Sequence, residues 1–342
     1  MTLSQRLGFE SIWAARMLAG DDTLFAERFS ALEQSVLRDH EPASQALAVD
    51  EVDVRDFDRA RFERAHVCRR PLVIRRALEG TDVVDRWNLP FFAERFGSTR
   101  VQVHGHAQTG ENLYDKDIVG TRLADFIDAV QAREGAPYMV ASAGLFEEHP
   151  ELTAAVPVKR LQGLFDIRIT RPELFMGNEK NWSPWHNALA ENFFVQVEGQ
   201  KQWSFIDPSW TAAMYPNYGW VTGPTAVQTT VDRDRIEDFP MFALPQRMTC
   251  VVGPGDLVYN PPHWWHEVRN LGASIGMPLR VRPRHSLRSP FLFISKLQVL
   301  HGMRHAAWRK VLWDAVADEA MGRNLLETRK GDAALEMTYS AR

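Results

Sequence analysis

The sequence predicts a mainly β protein, a sandwich or barrel with flanking helices, and three observations carry this prediction. Between Ile167 and Met277 short apolar runs alternate with turn residues. Side chains along residues 192–197 fall into two alternating sets, as expected for a strand between two layers. Turns are expected at Glu198-Gly199-Gln200 and at Gly253-Pro254-Gly255-Asp256, and a strand resumes directly after each. This spacing is typical of a β-sandwich or barrel and not of an alternating βαβ fold.

Helices are expected on both sides of this β region. Near the N-terminus, apolar residues recur at helical spacing between Phe25 and Val36. Residues 87–96 and 123–133 also have the pattern of helices. After Pro290 the chain again carries apolar stripes at helical spacing.

These patterns divide the chain into three parts. We predict an N-terminal helical segment at residues 1–47, a β domain at 48–285 and a C-terminal helical segment at 286–342. The C-terminal helices have apolar faces but no further β layer to cover. We therefore expect them either to pack on the barrel or to pair two chains as a homodimer.

Composition argues against several classes of protein. The 342 residues carry a formal net charge of -4, which gives no general attraction for a polyanion, so nucleic-acid binding is not expected. Two cysteines cannot build a disulfide framework, and no apolar stretch is long enough to cross a bilayer. The N-terminus also lacks the pattern of a secretory signal. We therefore expect a cytoplasmic protein with no membrane partner.

Two histidines are the leading candidates for metal ligands. His186 and His266 lie far apart in the chain, but each stands beside a tryptophan and close to a proline. In a double-stranded β-barrel such distant strands can meet at the mouth. Two neutral imidazoles suit Fe(II), although with water they also accept zinc, nickel or copper. A pair of histidines alone is weak support for any metal.

Three stretches around these histidines resemble a known family. They are Ser183-Pro184-Trp185-His186, the strand and turn from Asn192 to Lys201, and the segment from Gly255 to His266. Together they resemble the cupin-like, Jumonji-C group of Fe(II)- and 2-oxoglutarate-dependent oxygenases, above all its asparaginyl-hydroxylase-type members. The resemblance covers roughly Pro71 to Arg282. It implies a double-stranded β-helix, or jelly roll, for that region.

The resemblance also implies a metal site that lacks one ligand. In that family two histidines and a carboxylate two residues after the first histidine bind iron. His186 and His266 match the histidines, but Ala188 stands where the carboxylate is expected. Ala188 is therefore predicted to leave an open ligand position for a halide or water. The implied cofactors are Fe(II), 2-oxoglutarate and O2, and the open position adds chloride as a candidate.

Further residues match positions that bind 2-oxoglutarate in the family. Lys201 matches the lysine that pairs with the far carboxylate of this dianion, and a compact ammonium suits that task. Ser183, Asn192 and Tyr138 match positions of further polar contacts to the cosubstrate. Pro278 occupies a position where relatives often carry an asparagine, so one polar donor is lost there.

The alanine leaves several hypotheses open. In radical halogenases of the wider superfamily the carboxylate is likewise replaced by alanine or glycine, and a bound chloride would restore the charge that it supplied. Alternatives are a hydroxylase completed by water, an inactive binding protein, or a site completed by another acid. Glu191 would need a bulge at residues 189–190 to reach the metal, and Glu267 should point away from it. We favour halogenation of an unactivated carbon slightly over hydroxylation.

The substrate is not encoded in a recognisable motif. A small molecule, an amino acid or a peptide side chain would each suit the chemistry. The loops between Ser209 and Met241 are expected to shape the pocket. Tryptophans near the motifs suit either a dry pocket around the metal or a plain aromatic core; they are Trp182, Trp185, Trp203, Trp264 and Trp265.

Overall fold

The computed structural model describes residues 1–104, 118–135, 138–142, 144–167, 169–188, 191–217 and 226–281. The expected C-terminal helical segment, residues 286–342, lies outside this part of the chain, and so does its expected role in pairing two chains. Residues 189–190, where a bulge would be needed for Glu191 to reach a metal, also lie outside it. No helix in the described part combines the length and the apolar character needed to cross a bilayer.

Strands make up most of the described part, as the sequence predicts. Their bounds are β1 Leu47–Ala48, β2 Asp50–Asp53, β3 Leu72–Arg75, β4 Arg100–His104, β5 Ile118–Arg122, β6 Met139–Ser142, β7 Ile169–Pro172, β8 Leu174–Gly177, β9 Trp182–Ala188, β10 Asn192–Glu198, β11 Lys201–Ile206, β12 Pro216–Asn217, β13 Ala226–Thr229, β14 Arg247–Val252, β15 Leu257–Asn260, β16 Trp265–Asn270 and β17 Ser274–Val281.

The strands form two large sheets between which the chain passes back and forth. One sheet has the order β1-β14-β11-β16-β9-β13-β12, and the other has the order β2-β3-β15-β10-β17-β8-β6, with β7 paired to β17. Strands β9 and β11 belong to the first sheet and β10 to the second, and β15, β16 and β17 alternate in the same way. This alternation is that of a jelly roll, so the predicted mainly β fold with flanking helices is confirmed.

Strand β10 has the two faces that its alternating pattern predicts. Phe193 and Val195 pack in a large core cluster shared with the helices that cover the second sheet. Phe194 points the other way, into a cluster with Trp203 and Phe205 of β11. That second cluster draws residues from both sheets and therefore fills the space between them, which we call the barrel interior.

Both predicted turns contain a glycine that the backbone requires. Gly199 has φ +67° between β10 and β11, and a Cβ atom there would lie 2.1 Å from the carbonyl oxygen of Ala273. Gly255 has φ +87° directly before β15. Such conformations strain any residue with a side chain, so these glycines fix where the two strands begin.

The helices lie mainly at the N-terminal side and over the second sheet. Their bounds are α1 Leu3–Ala19, α2 Ala26–Asp39, α3 Arg59–Ala65, α4 Asp82–Arg86, α5 Leu89–Phe96, α6 Leu123–Gln131, α7 Gly144–Glu148, α8 Pro150–Ala155 and α9 Val158–Leu164. Short 3-10 helices occupy Val54–Asp56, Pro208–Met214, Arg233–Asp238 and Pro240–Ala243.

Two details of the helices differ from the expectation. The helix expected at residues 87–96 begins two residues later, at Leu89, because Asn88 is extended and its side chain caps the helix by accepting from the Phe91 amide. Helix α1 lies within the segment 1–47 expected to be helical, although the sequence pattern located a helix only between Phe25 and Val36; a capping box between Thr2 and Gln5 begins α1. Its buried face contacts α2 and the 3-10 helices that follow β11.

Candidate active site

The two candidate metal ligands meet in the barrel interior. His186 on β9 and His266 on β16 are direct partners in the antiparallel register of these neighbouring strands. Paired residues project to the same face of a sheet, and the two imidazole centroids lie 4.1 Å apart. Phe205, the partner of His266 on β11, belongs to the interior cluster, so both rings face inward.

Hydrogen bonds to the main chain set the tautomer of each ring. The Nδ1 atom of His186 lies 2.7 Å from the carbonyl oxygen of Pro184, and Nδ1 of His266 lies 2.9 Å from that of Trp264. A carbonyl only accepts, so each Nδ1 carries a proton, and in the neutral form of each ring Nε2 carries the lone pair. Two neutral imidazoles that present Nε2 on a common face have the arrangement that a divalent metal requires.

Ala188 lies on the same side of β9 as His186, two residues further on. It pairs with Ala226 of β13, and its carbonyl oxygen accepts from the His263 amide at 2.8 Å. His263 is buried and has φ +66°. The strand thus places a methyl group where the family places a carboxylate. Among the described residues, no set of three His, Cys, Asp or Glu side chains forms a metal-binding group.

The two acids considered as replacements are engaged elsewhere. Glu191 accepts a hydrogen bond from the Tyr259 hydroxyl at 3.3 Å, and Tyr259 packs in the cluster outside the barrel. Glu267 pairs with Arg233 and, at 3.3 Å, with Arg269. Glu267 follows His266 directly and so lies on the opposite face of β16, as the sequence predicts.

Lys201 lies inside the barrel, where its ammonium contacts a side-chain amide. Its side chain is 1% exposed, and Nζ donates to Oδ1 of Asn270. The ring of Phe194 lies 5.9 Å from Nζ. Among the described residues no carboxylate pairs with Lys201. Burial lowers the pKa of Lys201 to about 7, because the charged form has lost its water.

Tyr138 and Ser183 are buried and lie in direct contact. A hydrogen bond joins their hydroxyl groups, and burial raises the pKa of Tyr138 to about 12. Ser183 stands three residues before His186, which on a regular strand would put it on the opposite face. A register shift between β9 and β16 pairs Ser183 with Val268, whose side chain is interior. The β-bulge therefore returns Ser183 to the face of His186.

Several buried polar atoms of the interior have no hydrogen-bond partner among the described residues. They are Oδ1 of Asn192, Oδ1 of Asn260, Nε1 of Trp203 and Nε1 of Trp264. Unsatisfied polar atoms are rare in protein interiors and often mark a place where a ligand or water binds. The two indole N–H groups and the buried ammonium of Lys201 are donors that suit a small anion held beside a cation on the imidazoles. The residues present therefore fit Fe(II) and 2-oxoglutarate.

The tryptophans do not form one group. Trp203 and Trp264 pack in the barrel interior, and the Trp203 ring stacks on His266 with centroids 5.7 Å apart. Trp185 and Trp265 pack in a separate cluster on the outer face of the first sheet. Trp182 is only half-buried. The five tryptophans therefore do not line one pocket, because successive positions along β9 and β16 face opposite sides of the sheet.

Pro278 and Asn260 lie on the wall of the barrel interior. Pro278 pairs with Phe194 across β10 and β17, so its position faces the barrel but offers no donor. Asn260 was not singled out in the sequence. The sequence does contain a feature that could have identified it: Asn260 is the polar residue at the end of the apolar strand Leu257–Asn260. In the structure this position pairs with Asn192.

Comparison with known proteins agrees with this fold. Residues 59–281 match the family described as Cupin-like domain. The chain is 26% identical to tRNA wybutosine-synthesizing protein 5 of Danio rerio over 247 residues, 65% of this chain and 72% of that protein. It is 27% identical to lysine-specific demethylase 8 of Danio rerio over 197 residues, 56% of this chain and 47% of that protein. It is 22% identical to Jumonji C domain-containing protein 5 of Drosophila melanogaster over 295 residues, 80% of this chain and 70% of that protein. With the match covering most of the β region, the chain belongs to the Cupin-like domain family within the cupin and Jumonji-C superfamily.

Proposed function

We propose that the protein is an Fe(II)- and 2-oxoglutarate-dependent enzyme that oxidatively functionalises an unactivated C–H bond. One observation carries the proposal: two imidazoles present Nε2 on a common face of a barrel that also holds a buried lysine. His186 and His266 lie 4.1 Å apart by their ring centroids, and Lys201 is 1% exposed on an adjacent strand of the same sheet. A cation site beside a buried anion site is what a metal with a dicarboxylate cosubstrate needs.

Each candidate residue has a distinct task in this proposal. His186 and His266 hold the metal, and Lys201 pairs with the distal carboxylate of 2-oxoglutarate. The hydroxyl groups of Tyr138 and Ser183 and the amide of Asn192 supply further hydrogen bonds to it. When bound, the metal and cosubstrate together activate O2 for the oxidation. The protein orients both groups and keeps water out of the aromatic interior around Trp203.

The names of relatives support an oxidative role and leave the substrate open. One relative is named a lysine-specific demethylase, and another is named for the synthesis of wybutosine in tRNA. The formal net charge of -4 does not favour a polyanionic substrate for this chain. We propose an amino acid, a peptide side chain or a small molecule as the substrate class.

The direct test measures succinate formed from 2-oxoglutarate by the full chain loaded with Fe(II) in air. A library of amino acids and peptides serves as substrate, and His186→Ala and His266→Ala are the matched controls. We expect succinate formation by the natural chain and its loss in both variants. Binding of 2-oxoglutarate without any turnover, across the library, would instead indicate an inactive binding protein.

Halogenation is a second candidate, and Ala188 is the observation that favours it. A halide on the metal would occupy the position that this methyl group leaves, and it would restore the negative charge of the missing carboxylate. Chlorinated product that requires chloride indicates halogenation. Turnover that is indifferent to halide indicates hydroxylation.

Replacing Ala188 separates these outcomes further. Ala188→Asp restores a carboxylate beside His186, so we expect it to tighten metal binding and to abolish any halide incorporation. Ala188→Asn is the uncharged control of nearly the same shape. Metal affinity is measured by anaerobic titration and the products by mass spectrometry. Unchanged chlorination in Ala188→Asp would contradict a halide bound at this position.

A further inference from the structure

Asn270 contacts the ammonium of Lys201 inside the barrel. The two residues are direct partners in the antiparallel register of β11 and β16, so their side chains project to the same face of the first sheet. His266 lies four residues before Asn270 on β16 and faces the same interior. Nζ of Lys201 donates to Oδ1 of Asn270, which is 5% exposed. A neutral acceptor therefore holds a buried cation.

The main chain determines which end of the Asn270 amide faces the lysine. Nδ2 of Asn270 donates to the carbonyl oxygen of Asn178 at 3.0 Å, and a carbonyl only accepts. Turning the amide over would place its oxygen against another oxygen. Oδ1 of Asn270 therefore stays directed at Nζ of Lys201.

The turn between β8 and β9 fixes the carbonyl group that Asn270 binds. Within this turn the Asn178 main-chain amide donates to Oδ1 of Asn181 at 2.8 Å, and Oδ1 of Asn178 accepts from the Lys180 amide at 3.1 Å. The main-chain amide of Asn270 donates to the carbonyl oxygen of Asn181 at 3.3 Å. Asn178 and Asn181 are both buried. Asn270 is thus attached to one turn through both its main chain and its side chain.

We infer that Asn270 is a positioning residue for 2-oxoglutarate, because its amide holds the Lys201 ammonium in place without neutralising its charge. The inference rests on the proposed function, and it assigns to that site a residue that acts through Lys201. An ammonium has three N–H donors. Asn270 takes one of them, which leaves two for the distal carboxylate of the cosubstrate. A carboxylate at position 270 would instead supply the counter-charge itself and would repel the dianion.

Calorimetric titration of the full chain with 2-oxoglutarate in the presence of Zn(II) tests the inference. We expect Asn270→Ala to raise the Kd about tenfold or more, on the scale of one hydrogen bond to a charged group. Asn270→Asp keeps the shape but adds a charge, so it should raise the Kd at least as much. Binding by Asn270→Ala as tight as that of the natural chain, or tighter, would overturn the inference, and tight binding by Asn270→Asp would do the same.

The matched control is Asn187→Ala. Asn187 is 3% exposed and lies on β9 of the same sheet, but it pairs with Val227, whose side chain packs on the outer face. The substitution therefore removes a buried amide of the same kind at a place that does not face Lys201. It should leave the Kd for 2-oxoglutarate unchanged.

A second background shows whether Asn270 acts through Lys201. In Lys201→Met the ammonium is already gone, so adding Asn270→Ala should raise the Kd by less than about twofold further. Full multiplication of the two losses in the double variant would mean that Asn270 supports the barrel in general, and it would overturn the inference. The double variant buries no unpaired ammonium, and thermal unfolding of each variant verifies that the comparison is made on folded protein.

The position of the ammonium can also be followed without any ligand. In a chain labelled with 13C at the lysine Cε atoms, the Lys201 signal is the one that disappears in Lys201→Met. We expect Asn270→Ala to shift and broaden this signal, because the ammonium loses its anchor. Asn270→Asp should keep it sharp although it weakens binding, and Asn187→Ala should leave it unchanged. An unaltered Lys201 signal in Asn270→Ala would contradict the positioning role.

Failure of the proposed function gives a different pattern. If Lys201→Met binds 2-oxoglutarate as the natural chain does, or if the natural chain does not bind it, the proposed function is wrong, whatever the Lys201 signal shows. If Lys201→Met loses binding and Asn270→Ala does not, only the inference about Asn270 is wrong.

Discussion

At the scale of single residues, Lys201 combines two properties that seldom occur together. Its ammonium is buried between the two sheets, and it donates a hydrogen bond to the neutral amide of Asn270. Burying a charge without a counter-charge is costly, and the lowered pKa of Lys201 reflects that cost. A dianion that binds beside Lys201 would supply the missing counter-charge and would offset the cost of burying the ammonium. The residue is thus better suited to a ligand than to the stability of the ligand-free fold.

Replacing Lys201 by methionine should separate these two roles. We expect Lys201→Met to weaken 2-oxoglutarate binding by about 100-fold or more, because truncating one partner of a buried charge pair typically costs about 2–5 kcal/mol. The ligand-free variant should be at least as stable as the natural chain, since it no longer buries a charge. Calorimetry in the presence of Zn(II) and thermal unfolding measure the two effects. Lys180→Met, at an exposed lysine, is the control.

The pKa of Lys201 also predicts how cosubstrate affinity varies with pH. With a pKa of about 7 in the free protein, Lys201 loses its proton as pH rises through neutrality. The dianion pairs only with the protonated form, so binding is strongest below pH 7. Above pH 7 the affinity should fall by up to about tenfold per pH unit. Calorimetric titration between pH 6.5 and 9 checks this, and a flat profile would contradict it. Lys201→Met should show no such dependence.

Residue identities were predictable where chemistry restricts the choice. His186, His266 and Lys201 carry side chains with few alternative uses in a barrel interior, and the sequence motifs singled them out. Asn260 was not predicted, because an asparagine at the end of a strand usually begins a turn. Only the register of β10 against β15 reveals that it faces inward.

At the scale of elements, the β-bulge in β9 shows what the alternation of residues along a strand cannot predict. Strict alternation predicts the faces of β10 and of Lys201, Trp203 and Phe205 correctly. It cannot predict that Ser183 shares a face with His186, because the bulge is defined by pairing with β16. A register shift depends on a partner strand that lies far away in sequence, so no local pattern encodes it.

Strand β17 offers an element-scale test at Gly276. A Cβ atom there would lie 2.1 Å from Cζ of Phe194 and 3.0 Å from Cε of Lys201. We therefore expect Gly276→Ala to lower the free energy of unfolding by about 1–3 kcal/mol through overpacking. It should also weaken 2-oxoglutarate binding, because the Lys201 side chain must shift. Urea unfolding and calorimetry measure the two effects. Gly272→Ala is the control, since a Cβ atom there meets open space.

At the scale of the whole molecule, the N-terminal helices are part of the fold that supports the barrel. Phe9 and Trp13 of α1 and Val36 of α2 pack on Ala213 and Met241, which belong to the 3-10 helices after β11. The jelly roll was predictable because its motifs lie on consecutive strands. The contribution of α1 was not, because its partners are separated from it by most of the chain.

Removing one aromatic ring tests this coupling. Phe9 is fully buried, and its ring lies 5.1 Å from that of Phe29 by their centroids. We expect Phe9→Ala to lower the free energy of unfolding by about 3–5 kcal/mol, as for other buried phenylalanines. Leu7→Ala, at a residue 53% exposed on the same helix, should change it by less than about 1 kcal/mol. Equal effects of the two substitutions in urea unfolding would contradict the assignment.

The main-chain anchors of the two imidazoles have a consequence for how this scaffold evolves. His186 and His266 are steered by carbonyl groups two residues upstream in their own strands, whereas many metal-bound histidines depend on an acidic neighbour for the same purpose. Peptide groups are retained whatever the side chains become. Side chains around the two histidines can therefore change by mutation while both imidazole rings keep their orientation. An acid at position 188 can be replaced by alanine in this way without loss of the histidine pair.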